Sequence, residues 1–370
     1  MTTLKSSGPA HAPTRLTIDL DAIVANYQIL SNRSAPASCA AVVKADAYGL
    51  GIDAVSRTLA SAGCGIFFVA LLDEGIALRE ILPDADIFIL NGVFANEAPE
   101  FHRHRLIPTL NDLGQVDIWA RSCQLKTPQP AALQFDTGMA RLGLTPAESA
   151  TLLAASDKLS AFPIAGVLSH LACANDPTHP LNLEQRERFE KIAAQLPSVP
   201  ASFSASSGIF LGSDWHFDMV RPGASLYGVA PMLGAPNPMR QVVKLQGKIL
   251  QVRSVDTPQT VGYGATHQFA APTRIATVAA GYADGYMRSL SGRGTAYIAE
   301  TSVPVVGRVS MDLITLDITD ATGAKLGDLV DLIGPRNDVD SLAAHAGTIG
   351  YEILTNLGRR YGRTYTGGEA

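Results

Sequence analysis

The chain has 370 residues, of which 46% are apolar and 17% charged, and it carries a formal net charge of -5. That length and composition fit two globular domains with a large core and lie outside the disordered regime. Basic residues are scattered, with only Arg359, Arg360 and Arg363 close together, so electrostatics give no reason to expect a nucleic-acid partner.

In chain order, the segment from Met1 to Arg15 is rich in Ser, Thr, Pro and Ala and has no apolar run. It reads as a loose tail over residues 1–14, neither a signal peptide nor an anchor. No stretch reaches the roughly 18 uninterrupted apolar residues of a membrane span. From Thr17 to about Arg240, short apolar runs alternate with longer amphipathic segments. The runs are Ala40–Val43, Ile66–Ala70, Ile87–Leu90, Ile107–Leu110, Ala131–Phe135, Ile164–Leu168, Ala201–Ser204 and Met219–Val220. Such runs between turn signals predict buried parallel strands. Between them, Thr145-Pro146-Ala147-Glu148 has the form of a capping box, and Asp73 and Asn111 stand where helix N-caps belong. Eight such units predict a (β/α)8 barrel. An open doubly wound sheet is the competing arrangement, but no G-x-G-x-x-G follows the first run.

Beyond Arg240 the texture changes. Val242–Val252, Arg274–Ala280, Thr295–Ala299, Val303–Val309, Leu313–Ile318 and Asp328–Ile333 are strand-like, with Gly, Pro and Asp between them. A helix over Ser341–Gly358 is expected to close the chain. The fold class is therefore α/β, with an N-terminal (β/α)8 barrel over 15–238 and a C-terminal, mostly antiparallel β domain over 239–370. The boundary falls in the Pro/Gly/Asn-rich stretch Pro231–Pro238. Cys39, Cys64, Cys123 and Cys173 match no metal-ligand spacing and read as free thiols in a reducing, cytoplasmic compartment, with no metal expected.

Functional groups of such a barrel collect where its strands end. Here the predicted strand ends bring Lys44, then Asp136 with Arg141, then His170, Ser206 and Ser207, and finally Arg221 with Gly223 to one rim. A lone lysine or histidine in a loop is usually solvated or structural; the convergence of several is the informative feature.

The segment Ala41-Val42-Val43-Lys44-Ala45-Asp46-Ala47-Tyr48-Gly49-Leu50-Gly51 resembles the pyridoxal-phosphate (PLP) motif of the alanine racemase family. The resemblance runs from about Leu16 onward. It recurs in Asp136-Thr137-Gly138-Met139-Ala140-Arg141-Leu142-Gly143, in Val220-Arg221-Pro222-Gly223-Ala224-Ser225, in Val261-Gly262-Tyr263-Gly264, in Gly281-Tyr282-Ala283-Asp284 and in Ser310-Met311-Asp312. It implies a PLP-dependent interconversion of L- and D-alanine, for peptidoglycan synthesis or alanine catabolism. Lys44 then carries PLP through its amine, with a proton affinity lowered by partial burial near Arg221. The Gly223 and Ala224 amides and the Ser206 and Tyr48 hydroxyls hold the phosphate. Arg221 faces the pyridine nitrogen, with His170 linked to it.

Lys44 and Tyr263 are the two implied bases, one for each face of the substrate. Arg141 and the Met311 backbone hold the substrate carboxylate, and Tyr282 narrows the entrance. Lys44 and Tyr263 fall in different domains, and the resemblance implies a homodimer in which each site is shared between subunits. The chain departs from the family pattern in having Gln134 where many members carry a lysine, often carbamylated, and Ala205 where many carry asparagine. A C-terminal tyrosine that meets the phosphate in some members aligns with Arg359, which is given no such role. A decarboxylase on the same scaffold carries a cysteine–aspartate motif where this chain has Ser310-Met311-Asp312. A racemase of broader specificity fits the same motifs, and a non-catalytic PLP-binding protein would need only the barrel, leaving the β domain with Tyr263 without a purpose.

Overall fold

The computed structural model describes residues 3–7, 9, 11–269 and 272–368. Among them, the eight apolar runs form the staves of a parallel barrel. The first stave is split into Ser38–Cys39 and Ala41–Val42. Its two pieces pair with Met219–Arg221 on one side and Ile66–Val69 on the other, which closes the sheet around Ala40. The remaining staves are Asp86–Ile89, Ile107–Leu110, Ala131–Gln134, Ile164–Leu168 and Ala201–Ala205, each hydrogen-bonded to the next in chain order. These strands are mostly apolar on both faces, because side chains fill the barrel on one face and the helices cover the other, with Gln134, Ser202, Ser204 and Arg221 among the exceptions. Phe68 and Phe88 illustrate the filling, with stacked rings 4.6 Å apart.

The helices begin where local chemistry satisfies their free N–H groups. Thr145 and Glu148 form the expected capping box, Glu148 N donating to Thr145 Oγ1 at 3.3 Å and Thr145 N to Glu148 Oε2 at 3.0 Å. Two expected caps differ. Asp112, not Asn111, caps its helix by accepting from Gln115 N at 2.8 Å, and Asp73 lies inside the first turn of a helix that starts at Leu72. Asn111 instead donates to the Leu90 and Thr109 carbonyls, tying adjacent staves together.

The second sheet is mostly antiparallel and is built around the long strand Val243–Val255, which pairs with Thr14–Asp19, Leu329–Ile333 and Thr273–Ala279. Four segments differ from expectation here. Thr14–Asp19 precedes the barrel in sequence yet belongs to this second sheet, lying between Val243–Val255 and the closing strand Gly362–Thr366. Thr3–Ser7, read as part of a loose tail, forms an antiparallel strand on the other edge of Gly362–Thr366, while residues 1, 2, 8 and 10 lie outside the described residues. The predicted helix over Ser341–Gly358 is two helices, Val339–Ala346 and Gly350–Thr355. Gly347 ends the first with a φ of +73°, the left-handed cap that glycine adopts at least cost. Val303–Val309 is strand only at its start, within Thr301–Pro304.

The closing strand binds the second domain to the barrel mouth. The Arg363 guanidinium is buried and donates to Gly49 O at 2.7 Å, Gly358 O at 3.1 Å and Leu357 O at 3.4 Å, while Tyr365 Oη donates to Leu50 O at 2.9 Å. A methionine at 363 fills much of the volume and leaves those carbonyls unpaired. Arg363→Met should therefore lower the unfolding free energy by about 3 kcal/mol, read from denaturant midpoints at unchanged slope.

Candidate functional site

Lys44 directly follows the first stave, and the chain beyond it turns the wrong way for L-residues. Ala45, Asp46, Ala47 and Tyr48 have φ between 53° and 56°, forming one left-handed helical turn that Gly49 ends at φ +82°. Each such residue costs about 1–2 kcal/mol, so the surroundings must hold the turn. Ala47 N donates to Val43 O at 2.9 Å and Gly49 N to Ala45 O at 2.7 Å. Asp46 accepts from Ile52 N at 2.8 Å, and Glu74 accepts from Ala45 N at 2.6 Å and from the Ala70 and Leu71 amides. Arg363 grips the far end. The turn places Lys44 at the rim and sends Tyr48 inward, buried, with its ring 4.8 Å from that of Tyr227.

Arg221 ends the last stave and is buried. It donates to Ser202 Oγ and, at 2.6 Å, to Ser169 O, and its guanidinium lies 5.9 Å from the Phe68 ring centre. His170 follows the sixth stave. Burial, then the cations of Arg221, Arg141 and Lys44, push its pKa down to about 3, so the imidazole is neutral near pH 7. Lys44 is half-buried. Burial, and then the Arg141 charge, lower its proton affinity, and Glu74 opposes them. The neighbouring cation that acts on the lysine is thus Arg141, where the sequence points to Arg221.

Beside them, Ser206 Oγ accepts from Gly223 N at 3.1 Å and from Ser225 N at 3.2 Å. With both lone pairs engaged, its own hydrogen is free to donate. A Cβ on Gly223 would come within 2.4 Å of Tyr48 Oη, so only glycine permits this approach. Ala224 is buried in the same turn. Tyr351, whose ring centre is 6.2 Å from that of Tyr48, lines a cavity of about 640 Å³ together with His170 and Ser206.

Three further expected residues lie elsewhere on the chain's surface. Tyr263, Tyr282 and Met311 belong to the β domain and are exposed, Tyr263 to 71%. Tyr263 and Tyr282 line a separate cleft of about 340 Å³ with Arg288, Arg308, Val309 and Ser310, and no barrel residue contributes to it. The loops bearing Tyr282 and Met311 are fastened together, Tyr282 N donating to Ser310 O at 3.1 Å and Ala283 N to Met311 O at 3.0 Å. Arg360 reaches across both, to Asp312 at 2.8 Å and Asp284 at 3.3 Å.

Comparison with known proteins agrees with this architecture. Residues 18–231 match the family described as alanine racemase, N-terminal domain, and residues 242–365 its C-terminal domain. The chain belongs to the alanine racemase family. It is 54% identical over 361 residues to an alanine racemase of Rhodospirillum rubrum, covering 96% of each chain. It is 48% identical to a catabolic alanine racemase of Agrobacterium fabrum, covering 96% of this chain and 92% of that one. Among solved structures, the alanine racemase of Bartonella henselae with covalently bound pyridoxal phosphate superposes with a TM-score of 0.92 at 42% identity, over 95% of this chain and 99% of that one.

Within this family frame, the structure brings Lys44, Tyr48, His170, Ser206, Arg221, Gly223 and Ala224 together at one barrel rim. Arg141 is exposed, on a loop beside it. Gln134 is buried and shares a small void of about 10 Å³ with Arg141 and His170. Tyr351 is not among the residues that the sequence points to, and Arg359, where the C-terminal tyrosine of some members aligns, is exposed. The Gly350-Tyr351 pair at a helix start was the available signal.

The neutral state of His170 has a consequence for stability. Its folded pKa lies below the ordinary 6.5, so the unfolded chain binds the extra proton, and stability present above pH 6.5 is lost as pH falls toward 3. Between pH 7 and pH 5 the wild-type chain should lose about 2 kcal/mol more than His170→Gln, read from urea midpoints of both proteins at the two pH values.

Proposed function

We propose that the chain interconverts L- and D-alanine with pyridoxal 5'-phosphate as cofactor, and that each active site is built from two copies of the chain. The observation that carries this reading is the division of groups: a half-buried lysine and an anion cradle at the barrel mouth, and an exposed tyrosine cleft on the other domain.

The barrel mouth fits the cofactor. The Ser206 hydroxyl with its free hydrogen, the Ala224 amide, and the Tyr48 and Tyr351 hydroxyls offer donors to a phosphate, and the bare Gly223 keeps the space open. Burial raises the pKa of both tyrosines above the ordinary 10, so they stay protonated as donors. Lys44 would anchor the group through its amine, and Arg221 would meet its ring nitrogen. When bound, PLP supplies an electron sink that makes the hydrogen on the substrate's α-carbon labile. Arg221 cannot accept a proton, so beside the ring nitrogen it would favour the unprotonated form and restrain that sink, which suits racemisation over transamination.

The chain's own residues then move the proton. Lys44 Nζ serves one face of the substrate, its lowered proton affinity leaving more of the free amine at neutral pH. Tyr263 Oη of a second copy serves the opposite face. Arg141 and the Met311 backbone hold the substrate carboxylate, and Tyr282 narrows the way in. Neutral His170 can accept a hydrogen bond where a cation could not. The exposed cleft around Tyr263 supports pairing, because a catalytic tyrosine needs a dry partner surface that its own chain does not provide. The four cysteines are free thiols, which supports a cytoplasmic location, and among the described residues no helix is long and apolar enough to cross a membrane.

A coupled assay of D-alanine formation tests the activity, and hybrid dimers test the shared site. Lys44→Ala and Tyr263→Phe should each be inactive, and mixing them with verified subunit exchange should restore about a quarter of wild-type turnover, since half of the dimers are hybrids and each hybrid keeps one complete site. No recovery would place the whole site within one chain. Tyr263→Phe alone should block deuterium washout from L-alanine far more than from D-alanine.

Gln134 supplies a second prediction. A carbamylated lysine at its position would pair with Arg141 as an anion, whereas the Gln134 amide is neutral and can only accept a weaker hydrogen bond. Activity should therefore be the same in bicarbonate-free and bicarbonate-saturated buffer, as measured by initial rates at subsaturating alanine.

A further inference from the structure

Gln185 lies on the helix Leu181–Ala193, outside the barrel mouth, and is fully buried. Its side chain spends its polar atoms on three loop groups. Nε2 donates to His170 O at 2.9 Å and to Thr137 Oγ1 at 3.3 Å, and Oε1 accepts from Ala172 N at 2.9 Å. One amide therefore joins the loop that carries Arg141 to the loop that carries His170. The link continues inward. Thr137 Oγ1 and Ser169 Oγ are 2.8 Å apart, Ser169 Oγ donates to Phe135 O at 2.8 Å, and Ser169 O accepts from Arg221.

The Arg141 loop has two separate sources of order. Its shape is internal, because Asp136 accepts from the Gly138, Met139 and Ala140 amides at 2.9 to 3.1 Å. Its far end is tied to the fifth stave, Leu144 N donating to Gln134 O at 2.8 Å, and the placement of the part before Arg141 comes from the helix. Gly138, at φ +139°, comes so close that a Cβ there would meet Arg188 Nη1 at 2.9 Å and Gln185 Cγ at 3.4 Å, and Arg188 donates to Thr137 O at 2.8 Å. A loop stiff in itself and located from outside moves as a unit when its locating contact is lost.

We propose that Gln185 is a positioning residue for alanine: it fixes the distance between Arg141 and the His170–Arg221 centre, and so sets how well the substrate carboxylate is held. This rests on the reading of Arg141 as the carboxylate anchor. Removal of the amide should weaken carboxylate binding while leaving the phosphate cradle, which lies on other staves, as it is.

The test uses the holoenzyme. Gln185→Leu should raise KM for alanine about tenfold with kcat falling less than threefold, and should raise the dissociation constant of propionate, a carboxylate without the amine, by a similar factor in calorimetry. The visible absorbance of the bound cofactor should not change. Thr137→Val cuts the same link from the loop side and keeps the test open where the leucine variant folds poorly. It should give the same KM rise, and the double variant should be no worse than the stronger single one. An unchanged KM and propionate affinity in both variants, a fall in kcat alone, or additive losses would overturn the proposal. Wild-type protein that failed to racemise alanine would instead overturn the function proposed above, which the same wild-type control decides.

Discussion

A buried guanidinium governs the barrel mouth. Arg221 is paired through Ser202 and Ser169 and lies near the face of Phe68, so its charge is compensated by oriented dipoles and an aromatic ring, with no carboxylate partner among the described residues. A carboxylate would neutralise the field that the site uses. With none beside it among the described residues, the charge acts outward and adds, with Arg141 and Lys44, to the burial that keeps the His170 imidazole neutral. Ser202 is small enough to leave room for the guanidinium and binds it through Oγ, which explains a hydroxyl at a position that a barrel otherwise fills with a branched apolar residue, while Ser169 contributes its backbone carbonyl.

The left-handed turn after Lys44 is the second constraint, and it accounts for an otherwise odd feature of the topology. Four residues in that conformation are unfavourable together, and the turn persists because groups distant in sequence hold both of its ends: Glu74 from the next barrel unit and Arg363 from the closing strand. Arg363 reaches Gly49 only because Gly362–Thr366 runs parallel to Thr14–Asp19, which leads straight into the barrel. The second domain is thus a structural part of the lysine loop in its own chain, besides carrying the exposed tyrosine cleft.

Much of this was legible in the sequence. The eight apolar runs locate all eight staves, because staves buried on both faces carry little polar alternation, and where Ala201–Ala205 does alternate its polar residues are small serines. The rim residues followed from the strand ends. Less legible were features set by long-range pairing. Thr14–Asp19 looks like the start of the barrel because nothing local tells a strand which sheet it will join, and Gly362–Thr366 was hidden behind a predicted helix that Gly347 interrupts. Asn111 passed for a cap because Asn and Asp are interchangeable in that role, and only the neighbouring staves show that its amide is used elsewhere. Gln185 and Tyr351 gain their meaning from loops far away in the chain.

The distribution of carboxylates completes the argument. The chain as a whole is acidic, with a net charge of -5, yet its barrel mouth gathers Lys44, Arg141 and Arg221. The acidic residues nearby have their oxygens engaged by backbone amides: Glu74 by Ala45, Ala70 and Leu71, Asp136 by its own loop, Asp46 by Ile52 and Asp340 by Ala230. Carboxylates used in this way order the loops, and accepting several N–H groups disperses their charge. The loops around the site are therefore held by anions while the space between them stays cationic. That arrangement suits a phosphate at one end of the cavity and a carboxylate at the other. It also explains why Gln134 is tolerated at the base of the Arg141 loop: a neutral amide there leaves the guanidinium its full charge for the substrate, and Asp136 and Gln185 supply the loop's shape and position instead.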